Sequence, residues 1–306
     1  MRSIPVTILG GSDRKPGSLP DSGAGLHSLA TYKGLAIRVT EKPLVAHLVE
    51  RLTAAPGFGP VTIAGPARLY ARVGLEARIV DTDGSVARNL RAAIEAHGSG
   101  PLAVMACDVL PTAEELGELR RAYEAEPPCA LWFPFVRVPE DPRELGAFAW
   151  KPEYRVRVDG EPGAVRILPG HLGVFDPEEL RLPLLYRLFD AAYRTRNRSV
   201  GYRRAVMLRT VLLSLLARDV GRAVCLRLPD RTLRIVGSGT RLARALRDDS
   251  LRLDELERLI GRIFLRERIG SERGVRLPLV DVLSLAEDVD TEEEALAIAG
   301  DLAPPE

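Results

Sequence analysis

Residues 102–111 read Leu-Ala-Val-Met-Ala-Cys-Asp-Val-Leu-Pro, an uninterrupted apolar run followed by a single aspartate, Asp108. A short run without polar alternation is typical of a strand that is buried on both faces of a parallel sheet. Similar runs precede it at residues 5–9, 60–65 and 77–80. Helical stretches separate them, so we predict a three-layer α/β/α fold around a mostly parallel sheet.

The composition excludes several classes of protein. Apolar residues make up 46% of the 306 residues and charged residues 28%, which is ordinary for a globular chain and excludes disordered, collagen-like and coiled-coil proteins. The formal net charge of +1 gives no field that would favour nucleic acid or a membrane surface as a partner. The three cysteines form no CxxC pair, which argues against a disulfide framework and a cysteine zinc site.

Two segments bear on localisation. The apolar run at the N-terminus is too short for a signal peptide. The most apolar later stretch, residues 205–217, contains Arg209 and falls short of the ~20 residues that a membrane span needs, so we predict a buried helix there. We therefore expect a cytoplasmic protein.

The regular alternation ends near Pro127–Pro128, where we place a boundary between residues 1–128 and an extension, 129–280. In the extension we predict strands at 130–138, 154–158, 164–174 (with a turn at 169–172), 224–228 and 233–236. We predict helices over 177–217, with a break near 196–198, and over 240–248 and 253–268. Residues 281–306 form a closing segment, in which a helix begins after Thr291 and returns to the core.

Ligands of open parallel sheets bind at the carboxyl ends of the strands, and three features of the sequence fall there. Gly10–Gly11 follows the first strand, and bare backbone amides can approach phosphate oxygens closely. Asp108 follows the most apolar strand, where a carboxylate could hold a metal ion. Lys33 directly follows the glycine-rich stretch 12–32, which we predict to be a long loop. The alternatives are a plain turn for the glycines and a helix cap for Asp108.

Four parts of the chain carry a resemblance to a known family. The chain resembles the nucleotidyltransferases of the glycosyltransferase-A-like (nucleotide-diphospho-sugar transferase-like) fold, and in particular the MobA-like NTP transferases. The resemblance covers residues 4–126 and 280–299. The first two parts are Ile8–Gly11 and Lys33–Val45. The third combines Gly84–Leu90 with Met105–Pro111. The fourth, Asp288–Glu293, is similar to the closing Asp-x-Asp-Thr motif of the family.

The resemblance implies a metal-dependent attack of an acceptor phosphate oxygen on the α-phosphorus of an NTP, with release of pyrophosphate. Residues 1–128 would bind the nucleotide and 129–280 a small phosphorylated acceptor. The catalytic residues would be Lys33 and Asp108, and Mg²⁺ (or Mn²⁺) would be held by Asp108, Asp290 and Asp288. The implied nucleotide-binding residues are Leu9, Gly10, Gly11, Arg14, Lys33, Ser85 and Asn89. His171, in a predicted turn, is the candidate for acceptor binding.

The sequence departs from the family pattern in two places. Residues 12–17 interrupt the usual glycine loop, where Arg14 would replace the loop arginine, and the stretch before the closing motif is long. A second hypothesis is therefore a degenerate member that binds nucleotide without catalysis, as a regulatory subunit. A third is a glycosyltransferase, which the absence of Asp-x-Asp at Asp108–Leu110 disfavours. Self-association into a homo-oligomer is left open.

Overall fold

The computed structural model describes residues 3–11, 32–140, 154–195, 198–224, 250–266 and 273–300, together with Gly237, Ala245 and Asp248. The strands are β1 (Ile4–Leu9), β2 (Arg38–Val39), β3 (Lys42–Pro43), β4 (Phe58–Gly65), β5 (Arg78–Asp81), β6 (Leu102–Ala106), β7 (Cys129–Trp132), β8 (Phe135–Arg137), β9 (Tyr154–Arg157), β10 (Ala164–Pro169), β11 (Leu172–Phe175), β12 (Gly274–Arg276) and β13 (Leu279–Val280). The helices are α1 (Lys33–Ala36), α2 (Leu44–Ala54), α3 (Ala67–Tyr70), α4 (Val86–His97), α5 (Ala113–Ala125), α6 (Leu182–Thr195), α7 (Val200–Val224), α8 (Leu253–Phe264) and α9 (Glu292–Gly300).

Within the described residues, the central sheet has seven strands in the order β12-β7-β11-β6-β1-β4-β5. The neighbours β6, β1, β4 and β5 are parallel, as are β12 and β7. β11 runs antiparallel to both β6 and β7. The prediction of a mostly parallel α/β sheet is confirmed.

The apolar runs of the sequence are buried on both faces of this sheet. On one face, Ala103 and Met105 of β6 belong to the same apolar cluster as Leu48 of α2 and Leu116 of α5. Leu102 points to the opposite face, where it packs in a cluster with Leu90 of α4. Successive residues of one strand therefore serve two cores, which explains why the strands lack polar alternation.

The strand predicted over 130–138 is wrong in extent, because it is two strands in two different sheets, and the turn predicted within 164–174 likewise separates strands of different sheets. Residues 129–137 break at Phe133–Pro134, and residues 164–175 break at Gly170–His171. In each case one half joins the central sheet and the other a second sheet, which over the described residues has the order β13-β8-β10-β9. Pro134 has no backbone N–H to continue a ladder, and its carbonyl accepts a bond of 3.0 Å from the Gly170 amide.

A third passage between the sheets, at Leu277–Pro278, runs beside the one at 133–134 and was not predicted as β structure. The Phe133 amide donates to the Arg276 carbonyl at 2.9 Å, and the Phe135 amide to the Pro278 carbonyl at 2.9 Å. We call these three adjacent passages, at 133–134, 170–171 and 277–278, the sheet crossing. It places the turn that carries His171 next to the central sheet.

The remaining predictions vary in outcome. The helix predicted after Thr291 agrees with the structure, while the helix predicted over 253–268 ends at Phe264. The buried helix predicted over 205–217 lies inside α7, but Leu208, Leu213 and Leu216 are about half exposed. Val224 ends α7 and is not the start of a strand. The loop 12–32 up to residue 31, the strands at 225–228 and 233–236, and most of the helix 240–248 lie outside the described residues.

Residues 129–280, which we predicted to be an acceptor-side extension, contribute β7, β11 and β12 to the central sheet as well as β8, β9, β10 and β13 to the second. The two parts of the chain therefore share one sheet. Among the helices whose residues are described, none is both long enough and apolar enough to cross a membrane.

Candidate active site

The carboxyl ends of β1, β4, β5 and β6 lie at one edge of the sheet, because these strands are parallel neighbours. Gly10–Gly11 follows β1, and Cys107–Asp108 follows β6. The sheet edge that the sequence predicted therefore exists, and the features placed on it lie on adjacent strands; that it binds a ligand stays a prediction.

Lys33, the first residue of α1, reaches this edge and binds two carboxylates from distant parts of the chain. Its Nζ donates to Asp108 Oδ2 at 3.1 Å and also to Asp290 Oδ1. The lysine side chain is only 16% exposed, so its charge needs these partners. Burial by itself lowers the pKa of Lys33, but the attraction of Asp108 and Asp290 outweighs it and raises that pKa above the ordinary value. Lys33 is therefore a permanent cation.

Asp108 is ionised for the complementary reason. Burial raises its pKa, but the nearby Lys33 ammonium and His171 lower it more, and the net pKa lies below that of an ordinary aspartate. The alternative that Asp108 caps a helix does not hold, because Thr112 caps α5: its hydroxyl accepts from the Glu115 amide, and the Glu115 carboxylate accepts from the Thr112 amide.

The closing segment, which forms neither helix nor strand over residues 287–290, brings Asp288 and Asp290 to Asp108. The Val289 amide between them donates to the Asp108 carbonyl at 2.7 Å. The Val289 side chain is fully buried in an apolar cluster with Ile37 and Leu44. Because Val289 points into the core, the two aspartates that flank it both reach the site.

A second cluster shares Asp108 with the first. One ligand atom each from Asp108, His171 and Asp288 lie within 4.8 Å of one another. His171 Nδ1 is 3.1 Å from Asp288 Oδ1. Carboxylate and imidazole groups are common ligands of divalent cations, so these residues fit the metal that the resemblance implies. His171, predicted to contact the acceptor, thus lies beside the predicted metal ligands.

The two glycines after β1 are required by packing. A Cβ at Gly10 would lie 2.4 Å from Tyr70 Oη, and one at Gly11 would lie 1.8 Å from Asn89 Nδ2. The Gly10 carbonyl also accepts a bond of 2.7 Å from the Tyr70 hydroxyl. Leu9 packs its side chain against the cluster around Leu90. Contacts of these residues with phosphate remain a prediction.

The side chains of Ser85 and Asn89 make hydrogen bonds to other residues of the protein. Ser85 caps α4 and donates its hydroxyl to Asp190 at 2.8 Å. Asn89 is buried, accepts from the Thr82 hydroxyl at 3.0 Å and donates to the Gly84 carbonyl at 3.2 Å. Both side chains therefore hold the loop after β5 in place, and their contact with a nucleotide remains a prediction. Arg14 lies outside the described residues.

The sequence reasoning missed a polar network at the end of β5. Asp83 accepts from the Tyr32 hydroxyl at 2.7 Å and from Arg68 Nη2 at 3.1 Å. The network ties the residue before Lys33 to the β5 edge. The run Asp81–Gly84, which directly follows the apolar run 77–80, was the signal that could have identified it.

The comparisons with known proteins bear on the fold. No protein-family model matches the chain. No curated protein matches it either. Among solved structures, a hypothetical transferase from Thermus thermophilus is 22% identical and matches with a TM-score of 0.57, covering 96% of this chain and 100% of the other.

Two further structures are similar at lower scores. A CMP:2-keto-3-deoxy-manno-octonic acid synthetase in complex with CTP is 13% identical, with a TM-score of 0.49 and coverage of 99% of this chain and 100% of that one. HddC from Yersinia pseudotuberculosis, in complex with GMP-PN, is 14% identical, with a TM-score of 0.41 and coverage of 57% and 77%. The chain shares the mixed α/β fold of the Thermus thermophilus transferase over almost its whole length.

Proposed function

We propose that this protein is a metal-dependent nucleotidyltransferase that transfers a nucleoside monophosphate from an NTP to a small phosphorylated acceptor. One observation carries the proposal. Lys33, Asp108 and Asp290 come from three distant segments and meet at the carboxyl edge of the parallel sheet, where such folds bind ligands. A buried, permanently charged lysine beside paired carboxylates suits a reaction in which negative charge must be held near a metal ion.

Each residue of the site has a distinct role in the proposed reaction. An acceptor oxygen attacks the α-phosphorus, the bond to the bridging oxygen breaks, and pyrophosphate leaves with that electron pair. Lys33 holds the charge that develops on the α-phosphate, which costs little reorganisation because two carboxylates already fix its position. Asp108 and Asp288 would hold Mg²⁺ or Mn²⁺, which supplies charge neutralisation and alignment when bound. In this proposal residues 1–128 bind the NTP and residues 129–280 the acceptor.

The test is pyrophosphate release, measured with each of the four NTPs, a panel of sugar and polyol phosphates, and Mg²⁺ or Mn²⁺. We expect release that depends on both the metal and one acceptor class. Nucleotide binding without pyrophosphate release from any combination of NTP and acceptor would instead support the hypothesis of a degenerate, regulatory family member.

One observation keeps glycosyl transfer as a second candidate. The sequence argument against it was the absence of Asp-x-Asp after β6, but in the structure Asp288 and His171 join Asp108 from elsewhere. Such a site could hold the diphosphate of a nucleotide sugar. Release of nucleoside diphosphate from a nucleotide sugar, with no pyrophosphate from NTPs, would favour this candidate.

A further inference from the structure

The residues around Asp108 form two pairs with different partners. Asp290 binds the Lys33 ammonium, whereas Asp288 faces His171 Nδ1 at 3.1 Å. Asp108 takes part in both, since it accepts from Lys33 at 3.1 Å and lies within the cluster of His171 and Asp288. The two aspartates of the closing motif, which resemblance would treat as equivalent metal ligands, therefore have different neighbours in this chain.

We propose that His171 is a metal ligand together with Asp108 and Asp288, that it makes the site prefer Mn²⁺ to Mg²⁺, and that Asp290 positions Lys33 instead of binding the metal. The inference rests on the proposed function only in using the same pocket. Imidazole nitrogen is a softer donor than carboxylate oxygen and suits Mn²⁺ better than Mg²⁺, which strongly prefers oxygen ligands.

The backbone holds the three ligand-bearing segments together, which distinguishes this cluster from a chance group of surface acids. The Ala106 amide, two residues before Asp108, donates to the His171 carbonyl at 3.0 Å. The His171 amide donates to the Leu285 carbonyl at 2.9 Å, three residues before Asp288. The Val289 amide closes the ring by its bond of 2.7 Å to the Asp108 carbonyl. Each segment is thus bonded to the other two.

The turn that carries His171 is tightly packed at Gly170. A Cβ at Gly170 would lie 2.8 Å from a Leu285 side-chain atom and 2.9 Å from the Pro134 carbonyl, so the chain passes this point in close contact. The Nδ1–Oδ1 separation of 3.1 Å also matches the ~3.0 Å expected between adjacent ligands of an octahedral ion with bonds of about 2.1 Å. His171 and Asp288 therefore already lie at the spacing of two ligands of one ion.

Metal binding can be measured on the full chain without nucleotide or acceptor. Titration with Mn²⁺, followed by the EPR signal of the free ion, gives its Kd, and competition gives that of Mg²⁺. We expect Mn²⁺ to bind at least tenfold more tightly than Mg²⁺. Pulsed EPR of the bound ion should show the hyperfine coupling of a ligand nitrogen. Absence of that coupling in the wild-type protein would overturn the proposal without recourse to any variant.

The variants separate the ligands from their neighbours. His171→Asn replaces the imidazole by a harder amide oxygen, so we expect loss of the nitrogen coupling and of the preference for Mn²⁺. Asp288→Asn should weaken both metals tenfold or more, whereas Asp290→Asn should change either Kd less than threefold. His97→Ala, a histidine at the end of α4 that bonds the Gly100 carbonyl, is the matched control and should change neither.

The outcomes keep this inference apart from the proposed function. Nitrogen coupling without pyrophosphate release from any NTP would leave the metal site standing and remove the nucleotidyltransferase. Pyrophosphate release from an NTP, together with a metal preference that His171→Asn leaves unchanged, would support the nucleotidyltransferase and contradict the metal site at His171. A loss of metal affinity in Asp290→Asn equal to that in Asp288→Asn would contradict the assignment of Asp290 to Lys33.

Discussion

At the scale of single residues, Lys33 carries the clearest expectation. Lys33→Ala removes the buried cation between Asp108 and Asp290, so pyrophosphate release should fall at least 100-fold while circular dichroism with Mn²⁺ present stays native. Lys42→Ala is the control, because the Lys42–Glu50 pair is more than half exposed and such pairs contribute ~1 kcal/mol at most. Turnover of the Lys33 variant near that of the wild type would exclude it from the reaction.

Asp108→Asn should separate activity from stability at the same position. We expect loss of metal-dependent turnover but a change in unfolding free energy within about 1 kcal/mol, because Lys33 keeps Asp290 and the repulsion between Asp108 and Asp288 disappears. No helix cap is lost, since Thr112 caps α5. Chemical denaturation without metal measures this, and a loss of several kcal/mol would show that Asp108 is mainly structural.

The thiols give a prediction that depends on pKa. Burial raises the pKa of Cys107 to about 12, and burial together with Glu126 raises that of Cys129 to about 11. Only the thiolate reacts with disulfide reagents, so both should be inert at pH 8 in the folded protein. In a Cys225→Ser background, we expect two thiols to react with a chromogenic disulfide reagent only after denaturant is added. Rapid reaction of the native protein would contradict this.

At the scale of elements, α9 and the segment before it act as one unit. The Glu294 carboxylate accepts from the Asp290 amide at 2.7 Å and the Thr291 amide at 3.1 Å, while the Glu294 amide donates to the Thr291 hydroxyl. This capping box fixes the backbone of Asp290. Glu294→Ala should therefore cost about 1 kcal/mol of stability and also reduce turnover.

Glu293→Ala is the matched control for that variant, since Glu293 is an exposed acid in the same helical turn. It should alter neither the melting temperature nor turnover. Equal losses in the two variants would mean that first-turn charge near the helix dipole, and not the cap, holds the segment.

At the scale of the whole molecule, ligand binding should be visible as stability. A ligand at 100 times its Kd adds ~2.7 kcal/mol of apparent stability when it binds only the folded state. We expect one of the four NTPs with Mn²⁺ to raise the melting temperature by a few degrees, and the Lys33→Ala variant to lose most of that shift. No shift with any NTP and metal would contradict nucleotide binding.

The amino-acid sequence alone was enough to predict the layered α/β class and the helix that begins after Thr291. Continuous apolar runs such as residues 102–106 need cover on both faces of the sheet, and local side-chain bonds such as those of Thr112 define where a helix starts. Both features depend on residues that are neighbours in the sequence. The sequence also placed Asp108 and Gly10 at the carboxyl edge, because that position follows from strand order along the chain. These features depend on local sequence, which a single chain displays directly.

Which residues meet, in contrast, depends on how the whole chain folds. The strand at 130–138 looks continuous in sequence, and the turn predicted at 169–172 gives no sign of a change of sheet, but at both places the chain passes from one sheet to the other at the sheet crossing. That turn sets His171 against Asp288, more than 100 residues along the chain, and Val289 divides the closing aspartates between two partners. Such contacts depend on packing and long-range backbone bonds, and no local pattern of residues encodes them.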